Sequence, residues 1–357
     1  MKQTVVVGMS GGVDSSVAAL LLKEQGYEVV GLFMNNWDEK VNSQCTAEAD
    51  YEDVKRVCGI IGMPYYTVNF QKEYMDRVFT DFLEEYKKGR TPNPDVLCNR
   101  EIKFGPFLDF AKKIGADYIA TGHYSGILHT PEYSYLLKAL DQTKDQTYFL
   151  NQLNQAQLKN VLFPLQNIMK TEVRKIALTH KLSTATKKDS TGICFIGERN
   201  FKNFLRGYIP AVPGEICTMQ GKIIGEHSGL MFYTLGQRRG LNIGGVKGEQ
   251  EGRWFVVKKD LQNNILYVSK GDESILYGAG AVSYKFNWIP CPPIDTEFEC
   301  TAKFRYRQTE QDVKVKILDN RIEVVAKQPQ RAITEGQWVV LYQGDKCIGG
   351  GIIEERL

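Results

Sequence analysis

The residues best suited to chemistry stand near the start of the chain. Ser10-Gly11-Gly12-Val13-Asp14-Ser15-Ser16 follows the β-branched run Thr4–Gly8 and precedes Ser15–Gln25, where apolar residues fall at 17, 20, 21 and 22. The first run reads as a buried parallel strand and the second as a helix, capped at its C-terminus by Gly26. The glycines then lie in a strand-to-helix turn. Glycine lets the backbone bend sharply and approach a phosphate closely. The helix N-terminus behind it offers N–H groups and the positive end of a dipole to an anion. Ser10, Ser15 and Ser16 add hydroxyl donors. Asp14 repels phosphate, so its expected role is to hold a Mg²⁺ that bridges a pyrophosphate. The loop is not GxxxxGK[ST], since no lysine follows the glycines, and it is not GxGxxG. An empty glycine-rich βα turn is the alternative reading.

Two cysteines form a second group. Cys98 closes Pro92-Asn93-Pro94-Asp95-Val96-Leu97-Cys98. The two prolines predict a stiff, extended loop. Asn99 then reads as the N-cap of a helix over 99–114, which places Cys98 at a helix N-terminus, where a thiol loses its proton more easily. Cys194 lies in Lys187-Lys188-Asp189-Ser190-Thr191-Gly192-Ile193-Cys194, with lysines to favour a thiolate and glycines to give mobility. A lone cysteine can equally be a small buried hydrophobe. The eight cysteines, at 45, 58, 98, 194, 217, 291, 300 and 347, contain no CxxC pair, which argues against a zinc ribbon or simple iron–sulfur site.

The elements that must position these residues alternate. Strands are expected over Thr4–Gly8, Tyr27–Met34, Tyr65–Val68 and Asp117–Thr121, with helices over Ser15–Gln25, Ala47–Ile61, Lys72–Lys88 and Asn99–Ile114. That rhythm predicts an α/β fold with a doubly wound parallel sheet. Residues 154–182 read as helical and basic, and between Lys170 and Lys188 six Lys or Arg face one acid. Such a run suits a phosphate-tracking face, or simply a solvated helix. After about Gly207 long helical periods vanish. Short runs such as Trp254–Val257 and Ile265–Val268 predict a small central β domain, and Glu299–Tyr306, Asp312–Leu318, Arg321–Ala326 and Trp338–Tyr342 a C-terminal antiparallel β-barrel. The expected division is 1–206, 207–276 and 277–357. A formal net charge of +3 permits an anionic partner without demanding one. No apolar stretch is long enough to predict a membrane span, and Met1–Gly8 leaves no room for a signal peptide, so a cytoplasmic enzyme with reduced thiols is expected.

The glycine loop resembles the PP-loop of ATP pyrophosphatases. Eight segments in order along nearly the whole chain resemble the tRNA-specific 2-thiouridylase family: SGGVDSS, PNPDVLCN, TGHY (121–124), KDQTYFL (144–150), DSTGICFIGER (189–199), GLMFYTLGQRRGLNIGG (229–245), KFRYRQ (303–308) and GGGII (349–353). The resemblance implies a sulfurtransferase that uses Mg²⁺-ATP to adenylate the C2 oxygen of the wobble uridine, position 34, in tRNAs for Lys, Glu and Gln. A persulfide on Cys194 would supply the sulfur, and Cys98 would be the second catalytic cysteine, joined to Cys194 in a transient disulfide. A cysteine desulfurase, directly or through a relay protein, would load the persulfide. The resemblance also implies that Gly8, Met9, Ser10, Gly11, Gly12, Val13, Asp14, Ser15, Met34 and Gly122 bind ATP. It assigns Asn93, Pro94 and Asp95 to the target base, with Asp95 as a candidate for proton handling. It points to His123, Lys144, Asp145, Gln146, Arg305, Tyr306, Arg307 and Gln343 for tRNA. On its own residues, Arg305-Tyr306-Arg307 pairs two cations with a stacking ring on an expected strand.

Overall fold

The computed structural model describes residues 2–36, 47–189, 201–243 and 252–357. Strand β1 (Thr4–Met9) lies in the middle of a five-stranded parallel sheet. Its side chains serve two cores. Val6 packs on one face with Leu32, Val96 and Ile119, while Val5 and Val7 pack on the other with Ala19, Leu22, Val54 and Val57. A strand covered on both sides must be apolar at every position, hence the unbroken valine run.

On one side β1 pairs with β2 (Glu28–Asn35), which pairs with β3 (Tyr65–Asn69). On the other it pairs with β4 (Tyr118–Ala120), which pairs with β7 (Val161–Leu162). The chain therefore runs outward from β1 in one direction and returns to continue in the other, so the crevice between β1 and β4 is a topological switch point. Helix α1 (Val13–Glu24) leaves β1 directly and ends before Gly26, whose φ of 92° suits glycine. Helix α2 (Ala47–Ile61) matches its expected bounds.

Three expected helices are broken. The expected helix 72–88 carries a widened π-turn at Met75–Phe79 between Gln71–Tyr74 and Thr80–Lys87. The expected helix 99–114 begins earlier, at Pro94, with Asn93 as its N-cap. It passes through a π-turn at Asn99–Lys103 and restarts at Pro106, because proline brings no N–H to continue the ladder. Residues 154–182 hold only the helices Gln155–Leu158 and Lys170–Thr179, with β7 between them.

A four-stranded sheet follows, made of Gly214–Thr218, Ile223–His227, Trp254–Asp260 and Ile265–Lys270. The C-terminal β structure is an antiparallel ten-stranded sheet. It takes in the hairpin β5 (Gly126–His129) and β6 (Ser134–Leu137) from the first half of the chain, through the pairs Leu137↔Lys346 and Leu136↔Cys347. Among the described residues no helix is long and apolar enough to cross a membrane.

The fully buried Tyr148 ties the first unit to the last. Its hydroxyl donates to the Trp338 carbonyl at 3.0 Å and accepts from the Trp338 N–H at 3.3 Å. Tyr148→Phe strands both backbone groups, each of which costs about 1–3 kcal/mol when buried unpaired. A lowered urea midpoint is expected, and an unchanged midpoint would show that the junction contributes nothing to stability.

Candidate active site

Met9 ends β1, and Ser10–Gly12 turn the chain into α1. Gly11 has φ of 73°, and a Cβ there would fall 2.6 Å from the Asp50 carbonyl oxygen, so only glycine fits. The loop fastens itself through short side chains. Ser15 Oγ accepts from the Ser10 N–H at 3.2 Å and donates to the Gly12 carbonyl at 3.2 Å, and Ser16 Oγ donates to the same carbonyl at 2.8 Å. Gly12, the N-cap of α1, supplies no side-chain acceptor. The first-turn N–H groups have no partner within the helix itself. Gly122, two residues past β4, closes the crevice from the other strand. A Cβ there would stand 2.6 Å from Ser15 N and 2.7 Å from the Asp14 carbonyl carbon. Met34 lies near the C-terminal end of β2, half-buried. Gly8–Ser15, Met34 and Gly122 thus gather at the C-terminal ends of three adjacent strands, beside an uncapped helix N-terminus. This is the surrounding that an anionic nucleotide needs.

Charge organises the same spot. Both Asp14 oxygens accept from Lys170 Nζ, at 2.7 and 2.8 Å, and Tyr124 OH donates to one of them at 2.8 Å. Burial, and then the Asp14 carboxylate, holds the Tyr124 hydroxyl in its protonated form. Lys170 also reaches Asp189 at 2.9 Å, and Asp189 receives Arg174 at 2.6 Å and Lys144 at 2.9 Å. Burial pushes the Asp189 carboxyl up, but hydrogen bonds and charge from Lys170 and Lys144 outweigh it and bring it down to about 2. Lys187 Nζ donates to the Gly11 carbonyl at 3.0 Å and pairs with Asp50 and Asp53 at 2.6 and 2.7 Å. Three of the six cations between 170 and 188 are therefore engaged at the glycine loop or with carboxylates beside it. The expectation of an outward phosphate-tracking face is corrected for Lys170, Arg174 and Lys187, because half-buried carboxylates around the glycine loop draw them inward. Lys170, Tyr124 and Asp189 were not singled out from sequence for this site. Tyr124 stands two residues after Gly122, but nothing in the sequence pairs Lys170 with Asp14 across 156 positions.

The thiol loop departs from expectation. Asn93 Oδ1 accepts from the Asp95 N–H at 3.2 Å and caps a short helix, Pro94–Cys98, with Pro94 in its first turn. Cys98 therefore lies inside the helical stretch that runs from Pro94 on through the π-turn at Asn99–Lys103, instead of preceding a helix, and it is 2% exposed. The expected help from a helix N-terminus is withdrawn, since the dipole's positive end lies at Asn93–Asp95. Asn99 is not a cap. It is buried, and its side-chain N–H donates to the Phe149 carbonyl at 2.9 Å. Cys194 lies outside the described residues.

The residues expected at tRNA divide into two sets. His123 is buried between Phe104 and Phe163, with Nδ1 2.7 Å from Thr121 Oγ1. Burial, reinforced by Lys103, keeps its ring neutral, so it brings no charge to a phosphate. Asp145 is buried, accepting from the Ala139 N–H and from Thr147 Oγ1. Gln146 Oε1 accepts from the Tyr124 N–H at 2.9 Å, which braces the segment after Gly122. Arg305 and Tyr306 are not on a strand. The preceding strand ends at Lys303, and Phe304–Gln308 turn on a bond from the Phe304 N–H to Gln308 Oε1. Arg305 is half-buried and donates to Thr334 Oγ1 and the Leu235 carbonyl, and Tyr306 lies 4.2 Å from the Phe149 ring. Arg307 and Gln343 are exposed, and Lys144 is partly so.

Three family models match the chain. They are described as a tRNA methyl transferase HUP domain over residues 3–198, a tRNA methyl transferase PRC-barrel domain over 202–270, and an aminomethyltransferase beta-barrel domain over 281–353. Full-length relatives carry a different name. The chain is 58% identical to the tRNA-specific 2-thiouridylase MnmA of Alkaliphilus oremlandii, covering 99% of this chain and 97% of that protein. It is 59% identical to the protein of the same name from Lysinibacillus sphaericus, covering 98% of this chain and 94% of that one.

The ion network at Asp189 has a pH signature. Its carboxyl at about 2 lies below the ~3.9 of an exposed aspartate, so its stabilisation is fully present above about pH 4 and is lost as pH falls toward 2. The urea midpoints of the protein and its Asp189→Asn variant are expected to differ at pH 7 and to converge in acid. A gap that stays constant down to about pH 2.5 would remove Asp189 from this role.

Proposed function

This chain belongs to the tRNA-specific 2-thiouridylase family, and from that premise we propose that it is an ATP-dependent sulfurtransferase that makes 2-thiouridine at the wobble position of tRNAs for Lys, Glu and Gln. The observation that carries the ATP part is the uncapped N-terminus of α1 at the switch point, ringed by Ser10, Ser15 and Gly122. The triphosphate would lie along Gly8–Ser15, with Met34 and Gly122 bounding the site. Asp14 is the carboxylate fitted to hold the accompanying Mg²⁺. Among the described residues no three His, Cys, Asp or Glu side chains form a metal site, so the ion would take its other ligands from phosphate and water. The ion supplies charge neutralisation for the pyrophosphate that departs.

The chemistry has two stages. The C2 oxygen of uridine is a poor leaving group, and its attack on the α-phosphate of ATP releases pyrophosphate and converts it into AMP. The terminal sulfur of a persulfide on Cys194 then displaces AMP at C2. In this reading Cys98 attacks the sulfur of Cys194, so that the Cys194–sulfur bond breaks and a Cys98–Cys194 disulfide remains for a reductant. Disulfide geometry requires the two Cα atoms to come within about 7 Å. The base would rest against Asn93, Pro94 and Asp95, where the helix Pro94–Cys98 begins, with Asp95 placed to handle a proton. The tRNA would be met by the exposed Arg307 and Gln343 and by Lys144, while His123, Asp145, Gln146, Arg305 and Tyr306 shape the surfaces beneath. We assign residues 1–206 to nucleotide and base chemistry, 207–276 to the central unit and 277–357 to the barrel. The work is placed in the cytoplasm, with a cysteine desulfurase or relay protein as sulfur donor.

Mass spectrometry of anticodon nucleosides, after incubation with tRNA, Mg²⁺-ATP and a persulfide source, tests the activity. 2-Thiouridine at the wobble position is expected, and its absence with all three tRNAs would sink the proposal. With a sulfur-35 donor, Cys194→Ser is expected to take up no label. Cys98→Ser should take up label without completing thiolation. Product from the Cys194→Ser protein would overturn the assigned roles.

A further inference from the structure

The glycine loop contains no lysine or arginine between Ser10 and Ser16, and it carries Asp14. A nucleotide bound there would bring several negative charges beside a carboxylate, and a single divalent ion would be left to offset them. A cation from elsewhere in the chain is already in place. Lys170 begins the helix Lys170–Thr179, and its side chain is 11% exposed. Its backbone N–H is fixed by Asp141 Oδ2 at 2.9 Å. The Asp141 carboxylate is further satisfied by the Thr143 N–H and hydroxyl.

A buried ammonium is costly unless it is paired. Lys170 is paired with Asp14 and Asp189, and these two partners are not equivalent. Asp189 also receives Arg174 and Lys144, so it keeps two cations when Lys170 turns away. Asp14 receives Lys170 and the neutral Tyr124 hydroxyl. A divalent ion taking Asp14 would therefore release the ammonium from its main partner while Asp189 holds it in position. The anion that arrives with the ion is the remaining partner within reach. Lys187, the other lysine at the loop, stays bound to Asp50 and Asp53, neither of which is assigned to the ion.

We propose that Lys170 is a phosphate ligand of the nucleotide site, held by Asp14 while the site is empty and passed to the nucleotide's phosphates when Mg²⁺ takes that carboxylate. The inference rests on the ATP reading above and deepens it. It assigns to a residue far along the chain the role that a lysine within the loop plays in GxxxxGK[ST] proteins.

The test is equilibrium binding without tRNA, on the full chain, with two probes. Mg²⁺-ATP reports phosphate contacts by calorimetry, and adenosine, followed by ligand-observed NMR, reports the pocket without them. Removing a charge-assisted hydrogen bond is expected to weaken Mg²⁺-ATP roughly tenfold to a hundredfold in Lys170→Met, with adenosine unchanged. Lys170→Met also leaves Asp14 and Asp189 less compensated. The variant Lys170→Met/Asp189→Asn, which lowers the negative charge in step, should show the same selective loss if folding is not the cause. Lys170→Arg, which keeps the charge, should recover part of it. Unchanged Mg²⁺-ATP binding in both methionine variants, or equal loss for Mg²⁺-ATP and adenosine, would overturn the role of Lys170. If the unaltered protein binds no Mg²⁺-ATP at all, the ATP reading itself fails.

Discussion

The ion pair between Asp14 and Lys170 joins the first turn of α1 to a helix that begins 156 residues later. A carboxylate at a helix N-terminus is favoured by the dipole but opposes any second anion that approaches. Pairing it with an ammonium resolves that conflict locally. Because Lys170 also touches Asp189, and Asp189 touches Arg174 and Lys144, the pair links the crevice at the switch point to three other segments of the chain. The Asp189 carboxylate at the centre of this network is held at about 2, so it stays ionised through the physiological range.

Around that network the backbone leaves little freedom. Gly11 and Gly122 both stand where a side chain would strike main-chain atoms, Asp50 in one case and Ser15 with Asp14 in the other. The crevice at the switch point is therefore built by close approach of three backbone segments, with the serine hydroxyls spent on holding the turn. An interior packed to this density transmits small displacements. A shift of Lys170 would be felt at Asp189, which directly precedes the segment bearing Cys194.

The β structure serves the same end from a distance. Strands β5 and β6 leave the first unit immediately after Tyr124 and extend the C-terminal sheet through Leu136↔Cys347. Tyr148 meets Trp338, and the Tyr306 ring packs at a tilt against Phe149, whose carbonyl receives the Asn99 side chain next to Cys98. The turn that carries Arg307 is thus separated from the thiol helix by two packed rings. The expected nucleic-acid face and the expected thiol share one framework, which explains why Arg305, Asp145 and Gln146 are occupied with structural bonds.

The sequence by itself determined the parallel sheet, the strand–loop–helix at Ser10–Ser16, and the membership implied by eight ordered motifs. These depend on local physics, namely runs of valine, glycine at a positive φ, and apolar spacing along a helix, which neighbouring residues disclose. Element boundaries were less legible where helices are irregular. The π-turns at Met75–Phe79 and Asn99–Lys103 keep nearly the same apolar spacing as an α-helix, and Asn93 and Asn99 are equally good caps in one dimension. Only the fold showed that Asn93 is the N-cap and that Cys98 lies a full turn inside the helix. Only the fold turned Lys170, Arg174 and Lys187 inward, because a charge seeks its partner in space, and the partners at Asp14, Asp50, Asp53 and Asp189 converge only when the sheet is wound.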